Sequence, residues 1–388
     1  MLPLATTTWD ENEYKALQAV IDSGMFSMGK YVSEFEKKFA DYVGSKFCVM
    51  VNSGSSANLL AVAAMFYRKE SPWQLGDEVI VPAVSWSTTY FPLYQYGLKL
   101  KFVDIDQQTL NLDLEQVEAA ISENTRAILA VNLLGNPVDY NELTRIIAGK
   151  NIVVLEDNCE SMGATVNEKQ AGTFGLMGTF SSFFSHHIST MEGGMVVTDD
   201  EELYHIMLSL RAHGWTRNLP SENKLCVKSD NPFEESFRFI LPGYNLRPLE
   251  MSGALGLEQL KKLPAIVAGR RQNALVFNDI FGHIPGLRIQ QETGKSSWFG
   301  FALIVESGKE KRDQLIEVLT EHGVDCRPIV AGNFVRNPVV EYFNFEVYGE
   351  LIASDTITDC GLFIGNHHYE IKEQLENVAD LVRSVLTA

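Results

Sequence analysis

Short apolar runs that favour β-strands alternate with helical patterns over the first two-thirds of the chain, and this alternation restricts the fold most. Such an order is typical of a mostly parallel sheet with helices on both faces. Strands are predicted at residues 47–51, 78–81, 101–103, 127–131, 152–155, 179–183 and 194–198. Helices are predicted between several of them, at residues 31–42, 58–67 and 114–121. The sequence therefore predicts an α/β fold with a mixed, mostly parallel sheet.

The pattern changes near residue 262, where longer helices replace the regular alternation. A long helix is predicted first, then a strand, another helix and a terminal helix, at residues 265–281, 298–305, 311–322 and 369–386. A chain of 388 residues also exceeds the usual size of one domain. We predict an N-terminal segment with a large α/β domain over residues 1–261, followed by a smaller α+β domain over residues 262–388.

Charge and cysteine content exclude several classes of protein. A formal net charge of −18 argues against nonspecific nucleic-acid binding, which needs a basic surface. The five cysteines are scattered without a C-x-x-C pair, which favours a reduced enzyme with neither a disulfide framework nor a metal cluster. The N-terminus lacks the pattern of a signal peptide, and no apolar run reaches the roughly 18–20 residues that span a bilayer. We expect a soluble cytoplasmic protein.

A possible phosphate site follows the first predicted strand, in residues 52–58. Gly54 permits a tight turn, and Ser55 and Ser56 place hydroxyl groups beside the free N–H groups of a helix start. Helix N-termini of this kind bind phosphate well. A plain serine N-cap explains the same residues equally well, so the local sequence leaves both interpretations open.

Two further candidates follow other predicted strands. Asp157 lies at the end of an apolar strand, where ligands gather in α/β sheets. A carboxylate there can pair with a protonated pyridine nitrogen and make a cofactor ring an electron sink, although a side chain that caps the next turn is an equal alternative. Trp86 can stack on an aromatic cofactor, but a core or interface tryptophan is the commoner role.

His186 is the candidate for proton transfer. It lies in the segment Ser181–Gly194, within a stretch that has no lysine between Lys169 and Lys224. A neutral imidazole both takes and returns a proton near neutrality. A lone histidine is more often structural than catalytic, but the surrounding segment favours catalysis, whereas the adjacent His187 is expected to face elsewhere. The glycines of residues 172–178 precede a strand and have the wrong spacing for a dinucleotide fingerprint.

Together these segments resemble the fold-type I nucleotide-sugar aminotransferase and dehydratase family, whose members use vitamin B6 cofactors. The most specific match is His186-His187-Ile188-Ser189-Thr190-Met191-Glu192-Gly193-Gly194. Other matching motifs are Phe26-Ser27-Met28-Gly29, Val84-Ser85-Trp86-Ser87-Thr88-Thr89-Tyr90, Arg211-Ala212-His213-Gly214-Trp215-Thr216-Arg217-Asn218, Asn245-Leu246-Arg247-Pro248 and Cys326-Arg327-Pro328. The resemblance covers nearly the whole chain. It implies a fold-type I transferase fold with a large cofactor-binding domain.

The resemblance implies pyridoxal 5′-phosphate and pyridoxamine 5′-phosphate as cofactors, and it assigns roles by position. His186 takes the place of the lysine that normally anchors the cofactor. Trp86 stacks on the cofactor ring, Asp157 pairs with its nitrogen, and Glu160 lies near its 3-hydroxyl group. The cofactor phosphate is held by Gly54, Ser55 and Ser181, joined by Asn245 from the partner subunit of a homodimer with shared active sites. Aminotransferases of the family more often have Gln or His in place of Glu160. The glutamate of this chain therefore agrees with the dehydratase branch.

The implied reaction is removal of the C3 hydroxyl from the nucleotide sugar GDP-4-keto-6-deoxy-D-mannose, a step of colitose biosynthesis, with L-glutamate restoring the aminated cofactor. A sugar 4-aminotransferase is a rival that would need the missing lysine. A CDP-sugar 3-dehydratase and a noncatalytic binding member are further alternatives. Arg217, Arg247 and Arg327 are candidates for binding phosphates or carboxylates, although surface salt bridges explain them equally well.

Overall fold

The structure is a computed structural model and describes residues 1–387. Its strands, in chain order, are β1 (Phe47–Val51), β2 (Glu78–Pro82), β3 (Lys99–Val103), β4 (Thr125–Val131), β5 (Val153–Asp157), β6 (Thr165–Val166), β7 (Lys169–Gln170), β8 (Met177–Ser181), β9 (Gly194–Thr198), β10 (Leu287–Ile289), β11 (Gly300–Val305), β12 (Cys326–Arg327), β13 (Phe345–Val347) and β14 (Gly361–Gly365). They form an eight-stranded sheet, a four-stranded sheet and the small β6–β7 hairpin.

The helices surround the two larger sheets. In chain order they are α1 (Glu11–Ser23), α2 (Lys30–Val43), α3 (Gly54–Met65), α4 (Ser87–Gln95), α5 (Leu114–Ala120), α6 (Tyr140–Ile147), α7 (Glu201–Arg211), α8 (Pro232–Glu235), α9 (Glu250–Phe281), α10 (Lys309–Glu321), α11 (Ile352–Cys360) and α12 (Lys372–Leu386). Within residues 1–387, no helix combines the length and apolar character that a membrane span requires.

The large sheet has the strand order β1-β9-β8-β5-β4-β2-β3-β13. The neighbours from β8 to β13 pair in parallel, whereas β9 is antiparallel to both β1 and β8. Strand β1 therefore points the same way as β8, and β9 alone is reversed within this sheet. As a result, the carboxyl ends of the other seven strands meet at one edge, where ligands of α/β sheets gather. The prediction of a mixed, mostly parallel sheet is confirmed.

All seven strands predicted before residue 262 are present; β1 and β9 have the predicted bounds, and the bounds of the other five are shifted. The strand predicted at residues 179–183 is β8, which ends at Ser181, because pairing with β9 stops at Ser181 and Gly194. The helix predicted at residues 58–67 begins earlier, at Gly54, where Ser53 provides the cap. Strand β13 was not predicted in the large sheet, since its three residues pair with β3 from far along the chain.

The long helix α9 connects the two sheets. It was predicted to begin after Pro264 but starts at Glu250, and Pro264 lies inside it. Its first half packs against α1 and α2, and its second half packs against α12 and β10. Phe277 and Phe281 enter the core of the four-stranded sheet beside Phe301. Because α9 is continuous through residues 261 and 262, the division into two domains at that point stays a prediction.

Candidate active site

The predicted site residues follow four strands of the large sheet at the shared carboxyl edge. Gly54 follows β1, Trp86 follows β2, Asp157 ends β5, and Ser181 ends β8. These strands are widely separated in sequence, but the sheet order places them within six consecutive strands, with β9 between β1 and β8 and β4 between β5 and β2. His186 lies in the loop between β8 and the reversed β9.

The start of α3 forms the candidate phosphate cradle. Ser53 is the N-cap, and its hydroxyl accepts a hydrogen bond from the Ser56 N–H at 3.1 Å. A Cβ atom at Gly54 would lie 2.7 Å from Ser181 Cβ and 3.1 Å from Cys159 Sγ, so the close approach of α3 to β8 requires glycine. Ser55 Oγ donates to Thr88 Oγ1 at 2.9 Å on the exposed side. The helix therefore has a serine N-cap and also a solvent-exposed start, so both interpretations of residues 52–58 are compatible with the structure.

Asp157 is held by three donors. Asn58 Nδ2 and Thr89 Oγ1 each donate to Asp157 Oδ2 at 2.8 Å, and the Cys159 N–H donates to Oδ1 at 3.2 Å. The carboxylate is only 6% exposed. One oxygen thus caps the following turn, as the alternative interpretation proposed, while the other is fixed by α3 and α4. Three donors of this kind suit a side chain that stays anionic.

Glu160 lies partly buried one turn after Asp157. The pKa of Glu160 is raised to about 7, mainly by burial and to a smaller extent by the charge of Asp157, although the Leu134 N–H, which donates to Oε2 at 3.0 Å, opposes the rise. Leu134 itself has the left-handed φ of 53°. A carboxyl group with this pKa gains or loses its proton near neutral pH, and it changes between hydrogen-bond donor and acceptor when it does so.

The imidazole of His186 is partly buried and is placed by packing. Its ring centroid lies 5.2 Å from that of Phe299 and 6.0 Å from that of Phe183. Its Nδ1 atom is buried without a hydrogen-bond partner among residues 1–387. Burial, together with the charge of Arg270, lowers the pKa of His186 to about 4. The ring is therefore neutral at physiological pH and has a free nitrogen to accept a proton.

His187 has a different environment although it is the next residue. It is fully buried, and its Nε2–H donates to the Ser297 carbonyl oxygen at 3.1 Å. Burial holds the pKa of His187 well below its usual range. The adjacent histidine therefore connects the loop to the segment before β11 and points into the protein interior.

Trp86 and Asn245 present exposed side chains. Trp86 is 59% exposed at the residue before α4, so its indole face is open to a planar ligand. Asn245 Oδ1 accepts a hydrogen bond from Arg247 Nε at 3.0 Å. Within the described residues, no hydrogen bond connects Asn245 to Gly54, Asp157 or His186. The segment that carries Asn245 does lie beside the end of β1, where the Asn52 N–H donates to the Leu246 carbonyl oxygen at 3.0 Å, but the Asn245 side chain is exposed.

Sequence reasoning missed the residues that support this site. Asn58 and Thr89 were part of recognised motifs but had no role assigned, although polar residues that follow strands are a usable signal. Phe299 and Arg270 gave no signal, since they reach the site from distant segments. The glycines of residues 172–178 surround a buried carboxylate instead of a dinucleotide, because the N–H groups of Gly172 and Gly175 donate to Glu156 at 2.6 and 2.5 Å.

The residues at the edge fit a phosphorylated pyridine cofactor. The glycine cradle at α3 suits a phosphate, the fixed anion of Asp157 suits a ring nitrogen, and the exposed Trp86 suits a ring face. The partly exposed imidazole of His186, in the loop that follows β8, provides a base. Among residues 1–387, no group of three or more His, Cys, Asp or Glu side chains is arranged to hold a metal ion.

Comparison with known proteins identifies relatives over the full chain. The sequence profile of the DegT/DnrJ/EryC1/StrS aminotransferase family matches residues 7–383. A GDP-4-keto-6-deoxy-D-mannose 3-dehydratase from Yersinia pseudotuberculosis is 60% identical over 384 residues, which cover 98% of each chain.

Two solved structures are similar over nearly their whole length. A GDP-4-keto-6-deoxymannose-3-dehydratase with a trapped PLP–glutamate geminal diamine is 58% identical, with a TM-score of 0.97 over 98% of this chain and 100% of the other. A histidine-to-asparagine variant of such a dehydratase with bound GDP-perosamine is 57% identical, with a TM-score of 0.96 over 98% and 100% of the two chains. These similarities confirm the predicted fold-type I class.

Proposed function

The chain belongs to the DegT/DnrJ/EryC1/StrS aminotransferase family, and from this premise we propose that it is a 3-dehydratase that uses pyridoxamine and pyridoxal 5′-phosphate. Its substrate is GDP-4-keto-6-deoxy-D-mannose and its product is GDP-4-keto-3,6-dideoxy-D-mannose. L-Glutamate restores the amine of the cofactor and leaves as 2-oxoglutarate. The observation that supports dehydration over amine transfer is the imidazole of His186 in a stretch without lysine from Gln170 to Asn223.

When bound, the cofactor supplies an amine for the C4 ketone of the sugar and a ring that accepts the charge left by deprotonation. We assign the phosphate to Gly54, Ser55 and Ser181, completed by the partner subunit's Asn245. Asp157 pairs with the ring nitrogen and Trp86 stacks on the ring. Glu160 binds the 3-hydroxyl group of the cofactor. Because the pKa of Glu160 is about 7, the proton between the two groups can lie on either of them near neutral pH.

His186 moves the proton. As a neutral imidazole it removes a proton from the C4′ carbon of the cofactor, and as imidazolium it gives that proton to the departing C3 hydroxyl, which leaves as water. One group therefore acts as base and then as acid. The amine leaves the sugar as ammonia by hydrolysis. A lysine at this position would instead hold the cofactor covalently and favour completed amine transfer.

The remaining proposals concern the oligomeric state, the pathway and the cellular compartment. The exposed side chain of Asn245 makes no hydrogen bond to the other site residues of its own chain, and this supports a homodimer with shared active sites. The product is a 3-deoxy sugar nucleotide, which suits colitose and O-antigen biosynthesis. A reduced cytoplasmic setting remains a prediction from the scattered cysteines, all free among residues 1–387.

Ammonia release tests the proposal directly. The purified protein, loaded with pyridoxamine phosphate, is given L-glutamate and GDP-4-keto-6-deoxymannose, and both ammonia and the sugar product are measured. We expect one ammonia per 3-deoxy product. A product that keeps nitrogen in the sugar indicates a 4-aminotransferase, and no reaction indicates a noncatalytic binding protein. Preference for a CDP-linked sugar in the same assay identifies the CDP-sugar dehydratase alternative.

A spectroscopic test is independent of the substrate. We expect the His186→Lys variant to gain the visible absorbance of a covalently held cofactor when pyridoxal phosphate is added, because the new amine reaches the aldehyde. The wild-type protein should not gain this band. A spectrum unchanged by the substitution would place residue 186 away from the cofactor's reactive carbon.

A further inference from the structure

The segment before β11 forms one wall of the site although it comes from the four-stranded sheet. The Phe299 ring lies 5.2 Å from the His186 ring and 5.9 Å from the His187 ring, centroid to centroid. The Ser297 carbonyl oxygen accepts the hydrogen bond of His187. Both histidines therefore contact the same short segment, residues 296–299, which is called the wall segment below.

A buried arginine holds the wall segment from behind. Arg270 Nη1 donates to the carbonyl oxygens of Phe299 at 2.8 Å, Trp298 at 3.4 Å and Asn366 at 2.8 Å. Arg270 is 5% exposed and has no carboxylate within 4.0 Å among residues 1–387. A buried guanidinium without a counter-ion is unfavourable unless its donors are satisfied. Nη1 is satisfied by these three carbonyl oxygens, two of which belong to the wall segment, whereas Nε has no partner among residues 1–387.

The wall segment is also held from the sheet side. The Phe299 N–H donates to the Leu134 carbonyl at 3.0 Å, and the Ser297 N–H donates to the Gly135 carbonyl at 2.9 Å. A Cβ atom at Gly135 would lie 2.4 Å from the Trp298 nitrogen, so glycine is required for this contact. Trp298 has a left-handed φ of 49°, a conformation that a bulky residue keeps only when its surroundings impose it.

The same contacts extend to the second titratable group of the site. Leu134, whose carbonyl binds the Phe299 N–H, uses its own N–H to bind Glu160 Oε2. The wall segment thus connects His186 by ring packing and Glu160 by hydrogen bonds. Because Nδ1 of His186 has no hydrogen-bond partner in residues 1–387, ring packing is what restricts its orientation.

We propose that Phe299 is a positioning residue that fixes the orientation of the His186 imidazole for proton transfer, and that Arg270 fixes Phe299 by holding its backbone. The inference rests on the proposed function of His186. A base held by hydrogen bonds on both nitrogens could not accept a proton, whereas a base held by an aromatic ring keeps its nitrogens free. Proton transfer is sensitive to small displacements, since a shift of about 1 Å costs up to about a hundredfold in rate.

The test compares Phe299→Leu, Phe299→Tyr and a matched control, Phe363→Leu. Phe363 is also partly buried and packs on the same hydrophobic cluster as Phe299. We expect Phe299→Leu to lower kcat between about ten- and a hundredfold, with KM and the cofactor dissociation constant within about twofold. Phe299→Tyr, which keeps the ring, should retain most of kcat. Phe363→Leu should leave kcat near that of the wild type.

A readout that does not depend on turnover is the NMR signal of the His186 ring in cofactor-free protein. Phe299→Leu should shift this signal by removing the ring current of Phe299, and Phe299→Tyr should not. A leucine variant with wild-type kcat and an unchanged His186 signal would overturn the proposal, as would a tyrosine variant as slow as leucine. Should the leucine variant fail to fold, Phe299→Met makes the same comparison. If the wild type releases no ammonia, the proposed function fails, and the positioning role in catalysis fails with it, whereas the NMR comparison still decides whether Phe299 packs on the His186 ring.

Discussion

Asp157 and His186 occupy two regions of one site and are held in opposite ways. Asp157 receives three hydrogen bonds from residues that belong to the large sheet and its helices. His186 has an unpartnered Nδ1 within residues 1–387 and is held by contact with Phe299, from the segment that enters the four-stranded sheet. A group that must keep its charge is fixed by donors, whereas a group that must exchange a proton is fixed by apolar contact.

The largest expected effect comes from removing the proton carrier alone. His186→Asn should lower the rate of dehydration by about 10²- to 10⁴-fold, the usual contribution of general acid–base catalysis. Cofactor binding should persist, because Asp157 and the cradle at α3 are untouched. Steady-state ammonia release and a cofactor titration measure the two effects. The exposed His322→Asn is the control, and a variant at position 186 that turns over within twofold of the wild type would contradict the assigned role.

Asp157→Asn should affect both binding and rate, which distinguishes the two regions. Loss of one partner from a buried, hydrogen-bonded charge pair costs about 2–5 kcal/mol, or about thirtyfold and more. The amide also turns one acceptor into a donor that faces Asn58 and Thr89. Cofactor affinity from absorbance titration should fall together with kcat. Asp279→Asn, on the exposed face of α9, is the control, and unchanged cofactor affinity in Asp157→Asn would argue against pairing with the ring nitrogen.

A smaller effect is expected for one of the donors that hold Asp157. Thr89→Val removes the buried hydrogen bond to the carboxylate and the one that Thr89 accepts from Ser85, and should lower the free energy of unfolding by about 1.5–3 kcal/mol. Thr88→Val, the neighbouring residue, loses only the exposed bond with Ser55 and should cost about 0.5–1.5 kcal/mol. Urea denaturation of the two variants measures the difference. Equal losses of unfolding free energy would show that the buried hydrogen bond to Asp157 stabilises the fold no more than the exposed bond to Ser55.

The last expected effect concerns pH, and the two titratable groups should give opposite slopes. The pKa of His186 is lowered from 6.5 to about 4 by burial, so its contribution to stability is present above pH 6.5 and is lost as pH falls towards 4. The pKa of Glu160 is raised from 4.5 to about 7, so its contribution is present below pH 4.5 and is lost as pH rises through 7.

The measurement is the unfolding free energy of the cofactor-free protein between pH 4 and 7, compared with His186→Asn and Glu160→Gln. The wild-type advantage over His186→Asn should grow with pH, and that over Glu160→Gln should shrink, each by no more than about 1.4 kcal/mol per pH unit. Parallel slopes would show that one of the two burial effects is misassigned.

The same two regions show how far the sequence alone could lead. Asp157 and the start of α3 could be predicted, because each follows an apolar strand whose carboxyl end has a known direction. The support of His186 could not be predicted, since Phe299 and Arg270 approach it through tertiary contacts that leave no local pattern. The start of α9 at Glu250 was missed for a related reason: Pro264 suggests a boundary, but packing of the first half on α1 and α2 maintains the helix.

The reversal of β9 joins the base to the phosphate cradle. Strands β8 and β9 are antiparallel neighbours, so the loop that carries His186 leaves the sheet at Ser181 and returns at Gly194, where the Ser182 N–H binds the Gly193 carbonyl. Both ends of this loop are fixed by the pairing of β8 with β9, so the chain from Ser181 to His186 limits how far the imidazole can lie from Ser181. A change of side chain at position 186 therefore alters the proposed proton transfer and leaves the proposed phosphate-binding residue Ser181 in place.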